Sequence, residues 1–265
     1  MSGKELGFLI KDIKQKIKNM NYIFDIDGTL TPSRRRIDSK FESFFSNWIN
    51  GKKVFLVTGS DKDKTVEQIG ENIWSNVTRV YQSCGNQVWE NTKLIKESSF
   101  FIDSKMRNTL DNFIKKSKWK FKFDNHFEQR VGLVNFSTIG RNCTQEMRDK
   151  YYKWDLVNKE RERICEFINS NFLHIEASVG GQISIDIYEK GKNKAQVLDD
   201  ISGEVVFFGD RMEIGGNDYP IAERLRQEKT KHKLFKVKNP LETWEILKEK
   251  YWLNKNWLDS ISSRL

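Results

Sequence analysis

The sequence predicts an α/β fold in which a parallel-sheet core, covered by helices, carries an inserted α+β domain. Apolar runs at residues 22–27 and 205–209 each end at a turn with glycine, which is typical of buried parallel strands. Segments with helical spacing follow these strands, as they do in βαβ units. The alternation stops near residue 86 and resumes near residue 193, and this interruption indicates the insertion.

The first part of the predicted core alternates apolar strands with amphipathic helices. Its first helix has Ser39 as the expected N-cap and Gly51 just past its end. In chain order we predict a strand at 22–27, a helix at 39–50, a strand at 53–57, a helix at 61–69 and a strand at 79–83.

The inserted region mixes strands and helices, which indicates an α+β unit with an antiparallel sheet. We predict a hairpin at 87–97 that turns at Asn91-Thr92, a helix at 103–117, strands at about 120–127 and 131–137, a long helix at 144–170, and strands at 173–178 and 182–188. The core then resumes with a helix at 193–201, a strand at 205–209, a helix at 217–227, a strand at 233–237 and a helix at 240–250.

These elements divide the chain into a discontinuous core, residues 1–87 and 189–250, and an inserted domain, residues 88–188. Residues 251–265 form a C-terminal tail, in which Leu253, Trp257 and Ile261 fall on one helical face. Such a face indicates packing on the core, with a partner surface as the alternative.

Composition predicts a soluble globular protein. Of the 265 residues, 37% are hydrophobic and 31% are charged, and no apolar stretch is long enough to span a membrane. The first residues have no signal-peptide pattern. The cysteines Cys84, Cys143 and Cys165 have no metal-ligand spacing, which favours a reduced, cytoplasmic protein.

The net charge of +9 has two interpretations, a lysine-rich solvated surface or a field that attracts an anionic partner. Lysines at 115–122 alternate with Trp119, Phe121 and Phe123, a pattern typical of a strand with one solvated face. Phosphate esters and nucleic acid are both anionic, but no nucleic-acid motif accompanies the charge. We therefore predict no nucleic-acid partner.

The clearest chemical motif is Phe24-Asp25-Ile26-Asp27-Gly28-Thr29-Leu30-Thr31, directly after an apolar strand. Sites in open parallel sheets form beyond the carboxyl ends of the strands. Asp25 and Asp27 are two residues apart and would repel each other without a cation. A bound Mg²⁺ relieves that repulsion and also accepts phosphate oxygens, so we predict a magnesium site here. A turn with incidental acids is the alternative.

Three further elements follow other predicted strands or begin helices. Ser60 follows the second strand and could present a hydroxyl and backbone N–H groups. Lys194 starts a helix. Asp210 follows the strand at 205–209, and Asp218 ends the sequence Gly215-Gly216-Asn217-Asp218, which suits a metal site and the residues around its ligands. Taken singly, Ser60 reads as an ordinary N-cap and Lys194 as a solvated lysine.

In this order the four elements resemble the haloacid-dehalogenase (HAD) superfamily of aspartyl-phosphate enzymes. The resemblance implies that Asp25 is the nucleophile and Asp27 the general acid and base. It implies that Ser60 and Lys194 hold the transferring phosphoryl group. Magnesium would be bound by Asp25, Asp210 and the backbone carbonyl of Asp27. The fold implied is a HAD-like Rossmannoid core with an inserted α+β cap domain.

The chain also resembles eukaryotic-type phosphomannomutases, over about residues 20–250. The resemblance lies in residues 132–146 (GLVNFSTIGRNCTQE), in residues 180–186 (GGQISID) and in the motif around Asp210. It implies a set of residues that bind the non-reacting phosphate and the hydroxyls of the sugar, namely Arg34, Arg130, Arg141, Arg148, Ser184 and Asp186. Arginine forks suit a phosphate dianion, and two polar residues two apart on a strand can address hydroxyls.

The family resemblance implies a phosphomannomutase that interconverts hexose 6-phosphate and hexose 1-phosphate, with hexose 1,6-bisphosphate as activator, in mannose metabolism and GDP-mannose biosynthesis. It also implies a homodimer formed through the cap. A Mg²⁺-dependent sugar-phosphate phosphatase and a catalytically inactive basic binding protein are the alternatives. The sequence departs from the family at Thr58, at residues 83–86, and at residues 222–225, where a second cation site has poor matches.

Overall fold

A computed structural model describes residues 20–251 and, before them, residues 5, 7, 8, 11, 15, 17 and 19. The helical face expected at Leu253, Trp257 and Ile261 lies outside these residues. Two compact units are formed. The first contains the described residues of Met1–Ile95 and Lys194–Leu265, and the second is Lys96–Asn193. None of the described helices has the length and apolar character needed to cross a bilayer.

Strands and helices alternate through much of the chain. Their bounds are β1 (Asn21–Asp25), α1 (Ser39–Trp48), β2 (Lys53–Val57), α2 (Lys62–Ile69), α3 (Glu71–Asn76), β3 (Arg79–Gln82), β4 (Gln87–Glu90), β5 (Lys93–Glu97), α4 (Ser104–Lys116), β6 (Phe127–Arg130), β7 (Leu133–Phe136), α5 (Gln145–Asn158), α6 (Glu160–Asn171), β8 (Ile175–Val179), β9 (Ile185–Glu189), β10 (Val205–Gly209), α7 (Tyr219–Gln227), β11 (Lys233–Lys236) and α8 (Pro240–Lys250).

The first unit is built on a seven-stranded sheet with the order β11-β10-β1-β2-β3-β4-β5. The strands from β11 to β3 are parallel, and β4 pairs with β3 in the antiparallel sense. The predicted α/β fold class is confirmed. The hairpin of β4 and β5, which was expected in the inserted domain, extends this core sheet, so the division between the units falls after Ile95 instead of after residue 87.

Burial of large apolar side chains on both faces holds the central strand in place. Every residue of β1 is buried, and the ring of Phe24 stacks on Phe208 with centroids 4.8 Å apart. Phe45 and Trp48 of α1 meet Phe24 edge to face. Asp38 caps this helix by accepting hydrogen bonds from two backbone N–H groups, so Asp38 is the N-cap and the expected Ser39 is not. The carboxyl end of β1 is therefore rigidly placed.

The second unit contains a four-stranded antiparallel sheet with the order β6-β7-β9-β8. Helices α4 and α6 cover one of its faces through a core that includes Leu110, Phe136, Ile168 and Ile187. The opposite face carries polar side chains, because alternate residues of a strand point to opposite sides.

The predicted strand at 120–127 is wrong except for its last residue. Residues 117–126 form no strand, although lysines and aromatic residues alternate there. Trp119 and Phe123 instead pack against a small separate cluster that includes Ile139 and Tyr151. The alternation of polar and apolar residues here arises because a loop packs two of its aromatic rings into this cluster, and not because the segment pairs in a sheet.

The predicted helix at 144–170 is broken at Lys159, which has a left-handed conformation with φ of 54°. A buried ion pair explains the break, because the Arg161 Nε lies 2.7 Å from Asp155 Oδ2 and the Arg161 backbone N–H donates to Asp155 Oδ1. The predicted helix at 193–201 is a 3₁₀ helix over Lys194–Asp200. The short helix α3 was not predicted.

Candidate active site

A buried lysine joins two aspartates at the carboxyl end of the central strand. Asp25 is the last residue of β1, and Lys194 starts the 3₁₀ helix that follows the second unit in the chain. The Lys194 Nζ lies 2.6 Å from Asp25 Oδ1 and 2.8 Å from Asp218 Oδ1. All three side chains are at most 3% exposed. Buried charges of this kind persist only when they are paired and hydrogen-bonded.

Asp210 completes an acidic group beside this lysine. One carboxylate oxygen from each of Asp25, Asp210 and Asp218 lies within 4.8 Å of the others. Gly28 makes the approach possible, because it has a φ of +84° and a Cβ there would collide with the Asp210 carboxylate. Three carboxylates so close favour a hard cation that prefers oxygen ligands.

The ionisation of the group reflects burial and mutual repulsion. Burial raises the pKa of Asp25 well above its ordinary value, and Asp218 raises it further, while Lys194 opposes both. Burial and Asp218 likewise raise the pKa of Asp210 to about 6. For Lys194, burial acts to lower the pKa, but Asp218 and Asp25 outweigh it and raise the pKa above its ordinary value. The lysine therefore stays charged between the carboxylates.

The Asp27 carboxylate accepts hydrogen bonds from residues outside this acidic group. Its Oδ1 accepts hydrogen bonds from the backbone N–H of Arg34 at 2.6 Å and from Gln68 Nε2 at 2.8 Å. Gln68 lies on α2, is 1% exposed and also donates to Thr31 Oγ1 at 3.1 Å. Two donors thus hold Oδ1 of Asp27, and neither of them bonds to Oδ2. A magnesium ligand at the Asp27 backbone carbonyl stays a prediction.

Ser60 lies in a loop whose backbone is tied to two neighbouring segments. Its N–H donates to Thr58 Oγ1 at 3.0 Å, and its carbonyl accepts from the Ser83 N–H at 3.2 Å. The Cys84 N–H donates to the Thr58 carbonyl at 2.9 Å. The two places at which the sequence departs from the resembled family, Thr58 and residues 83–86, are therefore bonded to each other. The departure at 222–225 lies on α7, where Ala222 and Leu225 are buried.

In the second unit, the predicted sugar-phosphate residues converge on the polar face of the sheet. Arg141 Nη1 donates to Ser184 Oγ at 3.0 Å and to Asn135 Oδ1. Arg148 donates to the backbone carbonyl of Arg141 at 2.8 Å. Asn135 in turn donates to Asp186 Oδ1 at 2.6 Å. We call Arg130, Arg141, Arg148, Asn135, Ser184 and Asp186 the cap cluster.

Glu128 contacts two arginines of the cap cluster. Its Oε1 lies 2.8 Å from Arg130 Nε, and its Oε2 pairs with Arg141 Nε. Burial raises the pKa of Asp186 above its ordinary value, which Asn135 and the arginines oppose. Arg34 belongs to the first unit, where its side chain is exposed and its φ is +60°.

Four residues that were not predicted as site residues make contacts with those that were. Asp218 pairs with Lys194. The only sequence signal for Asp218 was its position shortly after two glycines. Gln68 and Glu128 carried no recognisable signal, because an amide on a helix and an acid on a strand are ordinary surface residues. Asn135 lies within a segment that resembles the phosphomannomutases, but no role was expected for it.

Comparisons with known proteins find phosphomannomutases among the similar sequences. A family model described as eukaryotic phosphomannomutase matches residues 41–253. A phosphomannomutase of Dendrobium officinale is 36% identical over 77% of this chain and 85% of that protein. Phosphomannomutase 1 of Dictyostelium discoideum is 31% identical over 89% of this chain and 98% of that protein.

Solved structures of similar fold are more distant in sequence. The C-terminal domain of a C. albicans trehalose-6-phosphate phosphatase has a TM-score of 0.58 at 13% identity, covering 90% of this chain and 94% of that chain. A Plasmodium falciparum IMP-nucleotidase has a TM-score of 0.55 at 18% identity, covering 87% of this chain and 68% of that chain. At these identities the likeness concerns the fold alone.

Proposed function

The chain belongs to the eukaryotic phosphomannomutase family, and from that premise we propose that it interconverts hexose 6-phosphate and hexose 1-phosphate through an aspartyl-phosphate on Asp25. A hexose 1,6-bisphosphate is both the activator and the intermediate. The observation that carries the proposal is the buried Asp25 carboxylate, held by the Lys194 ammonium at 2.6 Å at the end of the central strand. Mannose phosphates are the substrates that the relatives' names suggest.

In the first step, Asp25 attacks the phosphorus atom of the bisphosphate. Lys194 holds Oδ1, while Oδ2 lies 3.4 Å from the Thr29 hydroxyl, so Oδ2 is the oxygen we assign as nucleophile. A bond forms between Oδ2 and phosphorus as the bond from phosphorus to the sugar oxygen breaks. The Lys194 ammonium lies where it can stabilise negative charge on the phosphoryl oxygens. Ser60 is the other group proposed to hold the phosphoryl.

Asp27 supplies the proton that the departing sugar oxygen needs, and later removes one from the hydroxyl of the incoming substrate. The donors from Gln68 and Arg34 occupy Asp27 Oδ1. They leave Oδ2 to carry the transferred proton. Gln68 therefore acts as a positioning residue for Asp27.

The acidic group fits magnesium, because Asp25, Asp210 and Asp218 present hard oxygen ligands within 4.8 Å of one another. We propose that Asp25, Asp210 and the backbone carbonyl of Asp27 hold Mg²⁺, and that Asp218 orients Lys194. When bound, the ion supplies positive charge to the transferring phosphoryl group. We further propose that the cap cluster binds sugar phosphate and that Arg34, in the first unit, contacts sugar phosphate as well. The last two proposals are a homodimer formed through the cap and a cytoplasmic location, which is in keeping with three free cysteines.

The dependence on bisphosphate tests the proposed function against hydrolysis. We expect mannose 1-phosphate or glucose 1-phosphate to become the 6-phosphate only when catalytic hexose 1,6-bisphosphate is supplied, with free phosphate appearing far more slowly. A mutase must keep water from the aspartyl-phosphate while the intermediate turns around. Phosphorus NMR of one reaction measures all three species. Free phosphate as the main product, without dependence on bisphosphate, would identify a phosphatase.

Replacing Gln68 with methionine tests the role of Asp27. We expect turnover of a hexose phosphate to fall about tenfold, the size of one hydrogen bond to a charged group. Hydrolysis of p-nitrophenyl phosphate should fall only about twofold, since its leaving group hardly needs a proton. Gln227→Met, at the exposed end of α7, is the control. Equal losses on both substrates would show that Gln68 serves folding alone.

A further inference from the structure

The two arginines that face a phosphate in the proposed function already hold an anion from their own chain. Glu128 pairs through Oε1 with Arg130, at 2.8 Å, and through Oε2 with Arg141. Each carboxylate oxygen therefore serves a different guanidinium. A phosphate offers the same arrangement, two oxygens joined through one central atom, to a pair of arginines.

The sheet fixes the position of this carboxylate. Glu128 lies opposite Asn135 in the pairing of β6 with β7, and Asn135 lies opposite Asp186 in the pairing of β7 with β9. Residues directly opposite each other on neighbouring strands lie on the same face of a sheet, so Glu128 projects onto the face that carries Asn135 and Asp186. Its side chain is 34% exposed, which leaves it room to swing outward without unfolding the strand.

We propose that Glu128 is an internal counter-anion, which the phosphate of an arriving sugar must displace from Arg130 and Arg141. This inference rests on the proposed function, in which the cap cluster binds the non-reacting phosphate. The displacement weakens the binding of every ligand that enters by its phosphate. Because this effect is the same for every phosphorylated sugar, Ser184 and Asp186 would determine which sugar is preferred, through contacts with its hydroxyls.

The exchange of the Glu128 carboxylate for a phosphate helps the bisphosphate intermediate to reorient between the two half-reactions. A hexose 1,6-bisphosphate must withdraw one phosphate from the arginines before the other can take its place. Among the described residues, the ion pairs of Arg130 and Arg141 are both with Glu128. Without Glu128 that withdrawal would leave both guanidinium groups without an ion pair, and Arg141 is only 16% exposed. Partly buried charges without partners are costly. Glu128 re-forms both ion pairs as the phosphate leaves, so the intermediate is released from the cap more readily.

The test is the affinity of full-length Glu128→Gln for mannose 6-phosphate and for inorganic phosphate, measured by calorimetry. Glutamine keeps the size of the side chain and removes its charge. We expect both ligands to bind about tenfold more tightly, as expected when one nearby like charge is removed, and bisphosphate-dependent turnover to fall. Glu162→Gln removes an exposed acid that pairs with Lys159 in the same unit, and should change neither affinity by more than about twofold.

Two further variants separate this inference from the proposed function. Arg141→Lys should weaken mannose 6-phosphate binding, because lysine cannot form a two-pronged contact. In the double variant Glu128→Gln/Arg141→Lys, most of the affinity for mannose 6-phosphate that Glu128→Gln gains should be lost. Weakening by Arg141→Lys without tightening by Glu128→Gln overturns the counter-anion alone. An Arg141→Lys variant that binds mannose 6-phosphate normally overturns both the counter-anion role of Glu128 and the proposed binding of phosphate by the cap cluster. Glu128→Ala, checked by thermal melting, replaces Glu128→Gln if the latter folds poorly, and the same outcomes apply.

Discussion

Replacing Asp25 with asparagine is expected to reduce mutase turnover by more than about a hundredfold while leaving the fold and sugar-phosphate binding nearly intact. Asparagine has the shape of aspartate but cannot form the aspartyl-phosphate. The fold should survive, because Lys194 keeps its ion pair with Asp218 at 2.8 Å. Burial already disfavours the charged form of Asp25, so a neutral side chain is tolerated at this position.

Steady-state kinetics with bisphosphate, calorimetry with mannose 6-phosphate and urea unfolding measure the three parts of this result. Asp199→Asn is a matched control, since Asp199 is an exposed acid of the same unit that pairs with Arg224. Retention of more than about a hundredth of the normal rate by Asp25→Asn would assign the nucleophile elsewhere.

Replacing Lys194 with methionine should remove both activity and stability. The ammonium separates two carboxylates that are almost fully buried, and without it Asp25 and Asp218 would face each other uncompensated. Removing one partner from a buried ion pair costs about 3 to 5 kcal/mol of unfolding free energy. We expect a loss of that size in urea unfolding. The rate should fall at least about a hundredfold, through loss of charge stabilisation at the phosphoryl group.

A second substitution shows whether the stability loss comes from charge. Lys194→Met/Asp218→Asn removes one of the uncompensated carboxylates, so it should be more stable than Lys194→Met, although still inactive. If Lys194→Met unfolds at the urea concentration of the unmodified protein, the ion pairs of Lys194 contribute nothing to the fold. A double variant less stable than the single one would contradict the electrostatic explanation.

The parts of the fold that were predicted well are those in which local pattern and burial agree. β2 and β10 have the bounds that were predicted, because residues 54–57 and 205–209 are apolar runs buried on both faces of the sheet. The hairpin turn at Asn91-Thr92 was also predicted correctly, and both residues have positive φ, at 49° and 63°. Turn residues of this kind determine hairpins locally.

The parts that were missed depend on contacts between distant segments. The lysines at 115–122 have the period of a strand, but no neighbouring strand pairs with them among the described residues. Lys159 breaks a helix because of Asp155 and Arg161, whose attraction the helical pattern does not record. Gln68 beside Asp27, and Glu128 in the cap cluster, take on their proposed roles only through the residues that folding brings beside each of them. A single sequence shows residue types in order and says little about such pairs.

The two strands at the ends of the described core sheet, β5 and β11, bear on how the protein behaves at high concentration. A free sheet edge presents unpaired backbone groups that can recruit the edge of another molecule and start aggregation. Each of these strands carries two exposed lysines, Lys93 and Lys96 on β5 and Lys233 and Lys236 on β11. Edge-to-edge docking of two copies would bring these ammonium groups together and force them out of water. Lys236 pairs with Glu213, so the contribution of the net charge of +9 to opposing self-association at the sheet edges comes mainly from Lys93, Lys96 and Lys233.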